Sequence, residues 1–283
     1  MAMTVITVTN QKGGVGKTTT ATNLAAGLAR AGKQVLLVDF DPQYHATTGL
    51  GLEQGSGELA LSAVFLQRDV GLHRITIDTY IPNLTLAPGD PTLEQVVKTP
   101  VSLANALAPY AEQIDYCVID TPPNLGLVTL NALFAASSLP RGWILVPVQL
   151  GRYAIEGFAK LLTTLDEFSN FREGRGGGGG GSETFYRILL TMVDTRVKRS
   201  REYVLGELAP YRDKILATQI RRNEALNMAQ SYGKAIFDFD PGAHGAADYT
   251  ALCAEILAME ERGHHASEGT TAPEWAVSTT PDV

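Results

Sequence analysis

Residues 5–32 read VITVTNQKGGVGKTTTATNLAAGLARAG. The opening VITVT is entirely β-branched, which suits a buried strand. Glycines follow at 13, 14 and 16, and the Thr-, Ala- and Leu-rich remainder has the composition of a helix that starts near Lys17. A strand, a glycine turn and a helix in that order make a phosphate cradle. Glycines let backbone N–H groups converge on anionic oxygens, and the helix N-terminus adds positive potential. In such a cradle Lys17 reaches the β- and γ-phosphates and Thr18 offers its hydroxyl to Mg2+. The pattern G-x-x-x-x-G-K-T fails only at its first glycine, where Gln11 stands, while Gly13, Gly14, Gly16, Lys17 and Thr18 supply the rest. A glycine turn before a helix is weak evidence, but GKTTT directly after a Val/Ile strand is specific for a nucleoside triphosphate. Lys12, a second lysine in the loop, has no role in that pattern.

Outward from this stretch, short Val/Ile-rich runs alternate with longer segments of helical period, the pattern of a parallel sheet covered on both faces. Strands are expected at 5–9, 34–40, 84–88, 116–120, 143–148, 186–193 and 214–220, and helices at 17–31, 91–109, 125–136, 153–169, 199–209 and 245–261. They make one α/β domain over residues 1–262, a single doubly wound, mostly parallel sheet flanked by helices. Six consecutive glycines fall in NFREGRGGGGGGSET (170–184), read as a flexible surface loop because glycine loses the most entropy on ordering. The polar tail 263–283 is expected to be disordered.

Two further strand ends carry carboxylates. VLLVDFDPQ supplies Asp39 and Asp41, and YCVIDTPP supplies Asp120. In an open α/β sheet ligands gather beyond the carboxyl ends of the strands, so these side chains should converge on the glycine loop. Asp120 is expected to hold Mg2+ through water, and Asp41 to orient or polarise an attacking water. Asp39 is either a turn cap bracing the loop or part of the metal shell.

The formal net charge of −7 excludes a globally basic nucleic-acid binder, yet residues 187–222 hold nine Lys/Arg against four acids. No run has the roughly 18 apolar residues of a membrane span, and the start has no secretory pattern. A cytoplasmic protein is expected. Cys117 and Cys253 lie far apart without metal or redox spacing and read as buried packing residues.

KGGVGKTTT, LLVDFDPQ and VIDTPPNLGLVTLNAL, together with ILVPVQ and QSYGKAIFDFDPGAHGAADYTALCAEIL, resemble the ParA/Soj family of deviant Walker A ATPases, relatives of MinD. The resemblance runs from about Thr4 to Leu257. It implies an Mg-dependent ATPase that forms a homodimer with ATP. Its nucleotide site would comprise Lys12, Gly13, Gly14, Val15, Gly16, Lys17, Thr18 and Thr19. Lys12 would cross to the partner's nucleotide while Lys17 serves its own, and Thr18, Asp120 and Asp39 would surround the metal. Arg221 and Asn223 fall where the family wraps the adenine, although Arg221 replaces a frequent proline. The family also binds nonspecific DNA through basic residues in the C-terminal third, here Arg196, Lys198, Arg199, Arg201 and Arg222. Ala225 stands where an arginine is frequent. A ParB-like activator and a nucleoid-associated role in chromosome or plasmid partition follow from the resemblance. The same ATPase carrying a non-DNA cargo is an alternative. A MinD-like membrane role is not expected, because no Lys or Arg follows Gly263, and cluster or amidating chemistry on the same fold lacks suitable residues.

Overall fold

The Val- and Ile-rich runs form eight strands of one sheet in a computed structural model of the chain, which describes residues 3–53, 59–67, 69–139, 141–149, 161–165, 186–194 and 206–268. The strands are β1 (Thr4–Val8), β2 (Val35–Asp39), β3 (Ile77–Asp78), β4 (Leu84–Ala87), β5 (Tyr116–Asp120), β6 (Arg141–Gln149), β7 (Tyr186–Val193) and β8 (Ile215–Arg221). Their order is β3-β4-β2-β5-β1-β6-β7-β8, and every neighbouring pair is parallel except β3 with β4. The chain steps outward from β1 through β2 on one side and through β6 to β8 on the other. This reversal opens a crevice at the carboxyl end of β1.

Alternate residues of the central strands enter two separate cores. Leu36, Val38, Cys117 and Ile119 face one, while Val35, Leu37, Tyr116 and Val118 face the other. The first core is covered by α3 (Leu61–Leu66), α4 (Leu93–Val96), α5 (Ser102–Leu107) and α6 (Leu127–Ser138). The second is covered by α1 (Lys17–Arg30), α7 (Glu224–Ser231), α8 (Ile236–Phe239) and α9 (His244–Glu268). The small residues of α1 allow a close approach to α9: a Cβ on Gly27 would lie 2.4 Å from the Cys253 sulfur. Both cysteines are buried and unbridged, as expected of packing residues.

Several elements differ from the sequence expectation. The helix at 91–109 is two helices, α4 and α5, because Val97 turns extended ahead of Pro100, which also lacks an amide donor. A 3-10 turn then carries the chain over Pro109. Among the described residues, five short strands and α-helices were not anticipated: β3, α2 (His45–Gly49), α3, α7 and α8. None is long enough to display a period, as their lengths run from two to eight residues. The last helix runs to Glu268, beyond the expected end at 261. Of the helix at 153–169 only 161–165 are described, and these are helical; most of 199–209 and all of 170–184 lie outside the described residues. No helix among the described residues is long and apolar enough to cross a membrane.

Candidate functional site

Strand register brings the predicted carboxylates together. Val8 of β1 pairs with Asp120 of β5, and Asp120 pairs with Asp39 of β2, so three strand ends stand in one row. The chain leaves this row through Thr9 and Asn10 into the glycine loop. Asn10 shapes the loop's entry: its amide donates to Pro147 O at 2.7 Å, and its Oδ1 accepts from the Lys12 amide at 3.0 Å. The loop's far side is held by Thr191 of β7, whose hydroxyl donates to Val15 O at 2.9 Å. Gly14 and Gly16 adopt left-handed φ values of 71° and 88°, which favour glycine. Neither Gly13, Gly14 nor Gly16 has an atom of the chain where a Cβ would point, so the cradle faces open space.

The first turn of α1 begins at Gly16 with no side-chain cap and no acidic residue. Its free amides are therefore directed at the cradle, with no carboxylate of the same turn to compete for them. Lys17 is 7% exposed and folds its ammonium back to Lys12 O at 3.3 Å. Burial lowers its pKa, and the opposing charges of Asp120 and Asp41 partly restore it. The ammonium of partly buried Lys12 has no hydrogen-bond or ion-pair partner among the described residues. The two lysines thus differ: one is turned inward among carboxylates, and the other is uncommitted.

The three aspartates also differ from one another. Asp120 is fully buried; its Oδ1 accepts the Thr121 amide at 3.1 Å, and its Oδ2 has no hydrogen-bond partner among the described residues. Burial raises its pKa well above the ordinary carboxylate value, and the neighbouring Asp39 charge adds to this, while the Thr18 hydroxyl and Lys17 oppose it. Asp39 is equally buried, but both its oxygens face donors of the chain: Oδ2 accepts the Thr47 amide at 2.7 Å and the Thr47 hydroxyl at 2.6 Å, and Oδ1 faces the Asp41 amide at 3.4 Å. Its pKa is pushed up to about 7, chiefly by burial against the pull of Thr47. Of the two roles open to Asp39, these are the hydrogen bonds of a turn cap. Asp41 is 5% exposed and accepts the Gln43 amide at 2.9 Å.

The remaining expected residues divide. Thr19 turns its hydroxyl away to Gln230 of α7 at 3.3 Å. Arg221 points its guanidinium at Asp248 of α9, 2.6 Å from NH2 to Oδ1, so its side chain is already engaged. Asn223 caps α7 by accepting the Ala225 amide at 2.9 Å. Arg222 is exposed, whereas Arg196, Lys198, Arg199 and Arg201 lie outside the described residues. Asn10, Thr47, Gly89 and Thr191 shape the site without having been singled out in the sequence. Two of them stood close to a motif, Asn10 two residues before Lys12 and Thr47 six residues after Asp41.

Known proteins resemble this chain in sequence and in fold. A family described as an AAA domain matches residues 3–173. The sporulation initiation inhibitor protein Soj of Bacillus subtilis is 38% identical over 261 residues, covering 90% of this chain and 98% of that protein. The chromosome partitioning protein ParA of Myxococcus xanthus is 36% identical over 260 residues, covering 89% and 87%. Among solved structures, cobyrinic acid a,c-diamide synthase of Mycobacterium smegmatis with a bound ATP analogue and magnesium superposes with a TM-score of 0.74 at 29% identity, covering 92% of this chain and 97% of that one.

Proposed function

The chain belongs to the ParA/Soj family of P-loop ATPases, and we propose that it is a partition ATPase in which ATP joins two copies into a DNA-binding dimer. The observation that carries this reading is the division between its lysines. Lys17 is buried beside Asp120 and Asp41, where it balances their charge and meets the β- and γ-phosphates of its own ATP. Lys12 leaves the same loop with an ammonium that no described residue of its own chain engages, available for the nucleotide of a second copy. Two facing triphosphates repel strongly unless cations stand between them, so a lysine from each copy turns ATP into part of the interface.

The glycine amides from Gly13 to Thr18 and the start of α1 orient the phosphates. Thr18 and Asp120 present hard oxygen donors, one of them unpartnered, which suit Mg2+. Among the described residues no three acidic, His or Cys side chains close into a metal cage, so phosphate and water would complete the ion's shell. Mg2+ bound there supplies positive charge to the β- and γ-phosphates. Asp41 orients the attacking water, and Asp39 braces the turn that carries Asp41. Asn223 and the main chain at Arg221 border the adenine, with the Arg221 side chain withheld by Asp248.

DNA contact would come from Arg222 and from the basic residues Arg196, Lys198, Arg199 and Arg201. Phosphate contacts need only positive charge, so the acidic chain as a whole still carries a usable patch. Hydrolysis, stimulated by a ParB-like partner, would release the dimer from the nucleoid in the cytoplasm.

The test is ATP-dependent dimerisation measured by light scattering on the parent and on Lys12→Ala. The variant should bind ATP within about threefold of the parent yet remain monomeric. An ATP-dependent dimer of undiminished stability would contradict the assignment.

A further inference from the structure

Beneath Asp41 lies a junction built by Thr47, a residue of α2 that is 1% exposed. Its hydroxyl donates to Asp39 Oδ2 at 2.6 Å and accepts the Gly89 amide at 3.3 Å, while its own amide donates to the same Asp39 oxygen at 2.7 Å. One hydroxyl therefore joins the end of β2, the loop after β4 and the start of α2. From Asp39 the chain passes through Asp41, whose carboxylate takes the Gln43 amide, to Tyr44 at a left-handed φ of 44°, and so into α2. Thr47 closes this excursion back onto its starting residue. Gly89 presses on the same turn from the other side: a Cβ there would lie 2.6 Å from Asp39 O and 3.0 Å from Asp41 O. The main chain on either side of Phe40 is thus gripped from two directions, and Asp41 stands at the open end of the grip.

We propose that Thr47 is a positioning residue for ATP hydrolysis: by pinning Asp39 and Gly89 together it fixes where the Asp41 carboxylate stands relative to the phosphate loop. The role of Thr47 rests on that of Asp41 as the residue that orients the attacking water. A carboxylate on a turn is only as well placed as the turn, and a displacement of about 1 Å at a reacting group reduces turnover by on the order of 100-fold. Thr47 is buried in α2, outside the phosphate loop, so its loss acts on turnover and not on binding.

The experiment measures kcat, KM and ATP affinity, with the unfolding midpoint as a check on folding, for the full chain and for Thr47→Val, Thr47→Ser and Asp41→Ala. Thr47→Val keeps the shape and the backbone amide but removes the hydroxyl. It should lose about tenfold or more in kcat while ATP affinity stays within about twofold. Thr47→Ser, which keeps the hydroxyl, should recover most of the parental kcat. Parental turnover in Thr47→Val overturns the proposal. So does a loss of ATP affinity that matches the loss of kcat, or a Thr47→Ser variant as impaired as Thr47→Val. Should Thr47→Val not fold, Thr47→Cys fills the same space with a weak donor and carries the same expectations. If Asp41→Ala itself turns over at the parental rate, the role of Asp41 falls and that of Thr47 with it. If Asp41→Ala is inactive while Thr47→Val is not, only the role of Thr47 falls.

Discussion

The two ends of the central strands treat a carboxylate in opposite ways. At the amino end, Thr4 pairs with Tyr116 on one side and Arg141 on the other, and all three side chains donate to one oxygen of Glu260 on α9, at 3.0, 2.9 and 2.9 Å. Four residues later, at the carboxyl end, Val8 pairs with Asp120, whose Oδ2 has no partner among the described residues. The Arg141–Glu260 pair closes the base of the sheet with a satisfied charge. The other end holds two buried aspartates side by side: Asp39 faces three donors of the chain, whereas Asp120 has the Thr121 amide at Oδ1 and none among the described residues at Oδ2. A fold that brings three donors to a carboxylate at one end has no general difficulty in doing so. The shortage at the other end is where a cation and a phosphate are received.

The largest expected effect comes from removing the cation the chain itself brings to the deficient end. Lys17→Ala should weaken ATP binding by on the order of 100-fold, the worth of a charged hydrogen bond to phosphate in a buried site. Affinity within a few fold of the parent, measured by equilibrium titration, would show that the phosphates lie elsewhere.

A smaller effect concerns pH. The Asp39 carboxyl is raised from 3.8 to about 7 in the folded chain, mainly by burial. Between those values the unfolded chain has released this proton and the folded chain has kept it. Stability therefore falls as pH rises through about 4 to 7 and levels above that range. Asp39→Asn removes this titration. Without nucleotide, its unfolding midpoint should lose less than the parent's between pH 5 and 7.5, by about 2–4 °C for each kcal/mol of relieved charge burial. Parallel pH profiles would mean that Asp39 is ionised and satisfied at both pH values.

Much of the deficient end was legible in the sequence because each of its parts is contiguous: the loop from Lys12 to Thr18, the pair Asp39 and Asp41, and Asp120 at the end of its own strand. The satisfied end was not legible at all. Glu260 meets Thr4 across a separation of 256 residues and Tyr116 across 144, and nothing local marks a glutamate on a helix as the partner of three strand starts. Thr47 was missed for a similar reason: its hydroxyl matters because Gly89 arrives beside it from another strand. Arg221 was placed by its neighbours in sequence, but its side chain answers to Asp248, 27 residues on. The error at 91–109 was different in kind. Apolar residues continue on both sides of Pro100, so the periodicity spans a break that the proline imposes. Asn223 was placed by the resemblance alone, whereas its side chain caps α7, a helix that was not anticipated.

The comparison between the two ends is tested most directly by titrating ATP, with and without Mg2+, into the parent, Asp120→Asn and Glu260→Gln. The parent should bind ATP about tenfold or more tightly when Mg2+ is present. Asp120→Asn should lose that dependence. Glu260→Gln should keep it in full, although its unfolding midpoint falls by a few degrees as Arg141 loses its partner. A Mg2+ dependence that survives in Asp120→Asn, or vanishes in Glu260→Gln, would contradict the assignment of the cation site to Asp120, whose Oδ2 is left without a donor among the described residues.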